Sequence, residues 1–144
     1  MVVSGVLVAS LADAVWAEPV SINHSGEDAV GARLAFELVQ EIIRHPALSA
    51  GSEIDPGWKV VLHTVETAGS TTFSVSLVKK APDQIFDYFV NSFVGVCGSK
   101  RVKSCAQSVI ARIEEPIALH HANWKEFPGT QRQDNPPEIV KIEE

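Results

Sequence analysis

A chain of 144 residues that is 45% hydrophobic and 21% charged holds enough apolar material for one ordinary domain, and too much to be disordered throughout. Its formal net charge of −6 disfavours nucleic-acid binding, which begins with neutralisation of phosphates by a basic face. The same sign disfavours adhesion to an anionic membrane.

Residues 1–17, M-V-V-S-G-V-L-V-A-S-L-A-D-A-V-W-A, read as a signal peptide. An apolar run is followed by small residues, with Val15 and Ala17 in the −3 and −1 places of a cleavage site. No Lys or Arg precedes Arg33, a departure from the usual basic start, and V-V-S-G-V-L-V would also suit a buried strand. The run is shorter than the ~20 residues of a membrane span, and no cysteine stands near the cut to take a lipid. Loss of Asp13 with the leader gives a mature net charge of −5.

Pro19 to Asn23 alternates as a first strand. Ser25 can cap a helix that Glu27 and Asp28 favour at its positive end. Val30, Leu34, Leu38 and Ile42, with Ala35, Val39 and Ile43 beside them, give that helix one broad apolar stripe as far as Arg44, and Pro46 stops it. Leu48 to Ile54 reads as a weak strand, and Asp55-Pro56-Gly57 as a turn. Trp58 to Glu66 is β-branched, with Trp58, Val60, Leu62 and Thr64 on one face. Ala68-Gly69-Ser70 connects it to Thr72–Lys79, where Phe73, Val75 and Leu77 point inward and Ser74, Ser76 and Val78 outward.

After the break at Ala81-Pro82-Asp83, residues 85–97 fit either element. Ile85, Phe89 and Phe93 keep helical spacing, but the β-branched and aromatic content, with Gly95 and Gly98, favours a third strand of a meander. Ser99 can cap a second helix from Lys100 to about Glu115, with Val102, Ala106, Val109, Ile110 and Ile113 apolar, and Pro116 ends it. The expectation is therefore a signal peptide over 1–17, one α+β domain over 18–116 and a flexible or loosely docked tail over 117–144. The mobile tail is the favoured reading; if the tail docks, Trp124, Phe127 and the 139–142 run are the residues that would do so. The domain is expected as an antiparallel meander sheet of four to five strands with two helices packed on one face. The other face, with Lys59, His63, Ser74 and Ser76, is polar enough to be solvated or to bind.

The cysteines Cys97 and Cys105 have seven residues between them. In an exported chain they form a disulfide. The spacing is not the C-x-x-C of a redox couple, and no zinc ligand set surrounds them. Inside this loop Lys100, Arg101 and Lys103 stand out in an acidic chain. At a helix start they form either an anion- or partner-binding loop or a solvated basic turn. His120-His121 cannot chelate one metal through both rings on a helix or strand, and His24, His45 and His63 join no ligand pattern, so no metal or cofactor is expected. No nucleophile elbow, phosphate loop or paired carboxylate site is present.

The stretch V-G-V-C-G-S-K-R-V-K-S-C, Val94 to Cys105, resembles a signature of small exported bacterial proteins. These share a similar A-x-E-L-like helix core and a Ser/Thr-rich strand, and the likeness covers about residues 20–115. The resemblance implies export and a cystine. It carries over no catalytic residue, because that family has no assigned activity. The strand–helix–meander–helix order is similar to small α+β modules of bacterial envelope assembly and lipoprotein systems. The functional expectation is a periplasmic or secreted binding module, non-catalytic, whose partner is another envelope protein or an acidic envelope component. The alternative is a small periplasmic enzyme or inhibitor with a dispersed site, for instance Tyr88, His63 and Arg101. A third reading is a cytoplasmic structural protein with reduced cysteines.

Overall fold

Immediately after the expected cleavage point a strand begins. In the computed structural model, which describes residues 17–54, 56–80 and 87–126, β1 (Glu18–Ser25) is followed by α1 (Ala29–Arg44), β2 (Leu48–Ala50), β3 (Gly57–Thr67), β4 (Ser70–Lys80), β5 (Tyr88–Gly98) and α2 (Val102–Glu126). The leader through Trp16, Asp55 of the first turn, the Ala81-Pro82-Asp83 break, Phe127 and the 139–142 run all fall outside the described residues.

The five strands form one sheet in the order β2-β1-β3-β4-β5. The fold is α+β, but the sheet is mixed, which corrects the expectation of an antiparallel meander. β1 lies between β2 and β3 and runs parallel to both, with Val20 beside Trp58 and Glu18 beside Leu48. The cause is α1. A helix of 16 residues carries the chain back by about 24 Å, so the next strand starts at the same end of the sheet as β1 and must run parallel to it. Among the described strands, β3, β4 and β5 alone are joined as antiparallel neighbours.

The β3–β4 turn is the two-residue loop Ala68-Gly69, since Thr67 pairs with Ser70. Both residues have positive φ, 48° and 78°. That is the backbone of a type I′ turn, whose twist matches that of the flanking strands. Residues 88–98 form a strand, and an irregularity opposite Leu77/Val78 bulges β5 near its start.

Both helices supply the core with one face of the sheet. Leu34, Leu38 and Ile42 of α1 and Val109 and Ile113 of α2 are 0–1% exposed, as are Trp58, Val60, Leu62, Val75 and Leu77 on the strands beneath. The α1 stripe is narrower than its spacing promised. Val39 and Ile43 are exposed and Gly31 is buried, because the helix leans on the sheet along 31, 34, 38 and 42.

Three expected boundaries move. Asp28, and not Ser25, caps α1: its Oδ2 accepts the Gly31 amide at 2.7 Å. Ser25 instead ends β1 and hydrogen-bonds the His63 ring. α2 begins at Val102, three residues past Ser99, and continues through Pro116 to Glu126. A proline inside a helix leaves the carbonyl four residues back without its donor, at a cost of about 3 kcal/mol. Burial of Ile113 and Ile117, 1% and 3% exposed, lies on either side of that defect and offsets it.

Candidate functional site

The sheet has two edges of unequal length. β2 contributes three residues, whereas β5 contributes eleven, and among the described residues β5 has no strand neighbour on its outer side. Its backbone N–H and C=O groups on that side form a template for another chain. Along this edge runs a groove of about 240 Å³ between β5 and α2. Phe73, Phe93 and Val109 give it an apolar floor, and Arg101, Ser104, Ser108 and Arg112 line its helical wall. Gly95 keeps it open at the strand side. It pairs with Phe73, and a Cβ there would collide with the Phe73 ring.

The cystine makes this geometry. Cys97, one residue before the end of β5, is joined to Cys105 in the first turn of α2, with 6.1 Å between their Cα atoms. Cys97 is fully buried and Cys105 packs against the same core. The bond fixes α2 beside β5, and residues spaced three and four from Cys105 on α2 then face the groove. Arg101, Ser108 and Arg112 follow from that spacing.

Of the expected basic loop, Lys100, Arg101 and Lys103 are all exposed, and Arg101 is the one that lines the groove. Arg112, which the sequence reading passed over, stands at the other end, with its guanidinium 5.1 Å from the centre of the Phe93 ring. Neither arginine makes an ion pair among the described residues. Arg33 of α1 reaches the Ser99 carbonyl at 3.4 Å and ties α1 to the loop before α2.

The outer face of the sheet beside β5 is less polar than its serines imply. Val65, Phe89, Val94 and Val96 are 67–74% exposed there, interleaved with Thr72 and Ser74. This apolar face is continuous with the β5 edge.

Two polar clusters lie elsewhere. Under the start of α1, the Thr64 hydroxyl donates to Asp28 Oδ1 at 2.6 Å and lies 2.9 Å from His24 Nε2. Burial pushes the Asp28 carboxyl up, but hydrogen bonds from Thr64, Thr71 and the Gly31 amide outweigh it and hold the group below the usual range. The hydroxyl stands between the ring and the acid, so this is a structural pin and not a nucleophile activated by a base. At the far end of α2, His121 Nδ1 lies 2.8 Å from Glu18, Lys79 lies 4.7 Å over the Trp58 ring, and His120 meets that ring edge-on at 5.1 Å. Desolvation lowers the His120 pKa, with Lys79 adding to the effect against the opposing charge of Glu18.

The dispersed trio does not converge. His63 pairs with Ser74 near the Ser25 end of β3, Tyr88 pairs with Lys79 at the opposite end of β4, and Arg101 precedes α2. Among the described residues no three His, Cys, Asp or Glu side chains group as metal ligands, and no helix is long and apolar enough to cross a membrane. No known family model matches the sequence, and no curated protein matches it.

Proposed function

We propose that the mature chain is an exported, disulfide-stabilised, non-catalytic binding module that takes an extended segment of a partner protein as an added strand on β5. The leader over residues 1–17 and the cystine support the exported setting, where a thiol pair is kept oxidised. The observation that carries the binding reading is the long edge of β5, unpaired among the described residues, with a groove beside it. An added strand gains main-chain hydrogen bonds from the edge, and its alternate side chains enter the groove or lie over the apolar outer face. The bulge near the start of β5 bends the edge there, so the straight part from Asn91 to Gly98 is the segment offered.

Random peptides displayed on phage, panned against the oxidised full chain, test this. Recovered peptides are expected to slow amide hydrogen exchange over residues 91–98 and to lose binding when N-methylated at alternate positions. Failure to recover any binder, or protection confined to other elements, overturns the reading.

A further inference from the structure

The two arginines of the groove define what a strand there must carry. Arg101 and Arg112 lie at its two ends on the α2 side. Eleven helical positions separate them by about 16 Å. Between them the helical wall is Ser104 and Ser108, small enough to leave the apolar floor open. A strand laid on β5 advances about 3.3 Å per residue and turns every second side chain toward that floor. Its residues i and i+4 therefore stand about 13 Å apart on the groove side, and the long arginine side chains close the remainder. Residue i+2 falls over Phe73, Phe93 and Val109. The cations have no ion-pair partner among the described residues and sit in a chain of net charge −6, so they mark a local reversal of sign.

We propose, on the strand-addition reading above, that the groove selects an acidic protein segment of the form Asp/Glu-x-Val/Ile/Leu-x-Asp/Glu, with one carboxylate on Arg101, one on Arg112 and the central side chain on the apolar floor. Arginine suits this role because its planar fork meets a carboxylate with two hydrogen bonds. Lys100 and Lys103, exposed beside Arg101, raise the local positive potential and hasten encounter.

The test uses the oxidised full chain and a fluorescent decapeptide with Glu-Thr-Val-Thr-Glu at its centre, read by anisotropy. The Glu peptide is expected to bind about tenfold tighter than its Lys-Thr-Val-Thr-Lys counterpart, with a preference that weakens as salt rises. Arg101→Glu and Arg112→Glu are each expected to weaken the Glu peptide roughly fivefold and to strengthen the Lys peptide. That exchange of preference distinguishes lost recognition from lost folding. Equal binding of the two peptides, both abolished by N-methylation, overturns the charge rule and leaves strand addition standing. Binding that N-methylation does not affect overturns both. Occupation of the edge by a second copy, seen as a dimer that the peptide does not dissociate, overturns the proposal. So does occupation by residues 138–144 of the same chain, seen as β5 amides that exchange slowly without peptide.

Discussion

Asp28 ties the start of α1 to β3 through a single side chain. Its two oxygens divide the work, one accepting the Gly31 amide and the other the Thr64 hydroxyl. Thr64 is 4% exposed, so removal of this acceptor would cost up to about 1–3 kcal/mol, less where the hydroxyl turns to His24 Nε2, 2.9 Å away. Loss of the cap adds about 1 kcal/mol. The carboxyl pKa is lowered by these bonds, so the folded state holds its proton less tightly than the unfolded chain. The stabilisation is complete above the unfolded value of 3.8 and is lost as pH falls through the lower folded value. Urea midpoints are therefore expected to drop between pH 5 and pH 2.5. In Asp28→Asn, which can still cap but does not titrate, the drop should be shallower. An equal slope in the two proteins would contradict the assignment.

At the scale of elements, the cystine and α1 decide the architecture. The disulfide closes a loop with a sequence separation of 8, worth about 2.5 kcal/mol in the chain-entropy model. Cys97→Ala/Cys105→Ala is expected to lower stability by roughly 2–3 kcal/mol in denaturant titration. Peptide binding should fall further than stability does, because α2 is then free to move off β5. A double variant that keeps full affinity would show that the groove does not need the clamp.

Much of this level was legible in the sequence. The alternation of Phe73, Val75 and Leu77 gave β4, and the spacing of Leu34, Leu38 and Ile42 gave α1. The parallel placement of β1 was missed because periodicity fixes which face a strand buries but is silent on its direction. The intervening helix was the available signal. The continuation of α2 past Pro116 was missed because the buried Ile117 outweighs a local rule that holds for isolated helices. Arg112 was missed because a groove wall exists only after β5 and α2 are brought together, although its spacing from Cys105 placed it on the same helical face.

For the molecule as a whole, β1 starts at Glu18, directly after the expected cut at Ala17. Cleavage there leaves β1 intact, and the Glu18 nitrogen, 3.0 Å from the Ala47 carbonyl, can still donate as a free amine. Expressed with its own leader in a bacterium, the chain is expected to reach the periplasm with an N-terminus at Glu18 and no free thiol, as read by mass spectrometry before and after reduction. Retention of residues 1–17 in cytosolic material with two thiols would remove the exported setting.

The inequality of the sheet's margins also bears on the stoichiometry of the proposed strand addition. β2 is too short to template another chain, and the opposite border is long. Growth by head-to-tail stacking of sheets needs a receptive rim on both sides of every unit, and here one side is a dead end. On the strand-addition reading, each molecule would therefore accept a single guest segment and would not seed a filament. On that reading, one receptive border would serve recognition without inviting polymerisation.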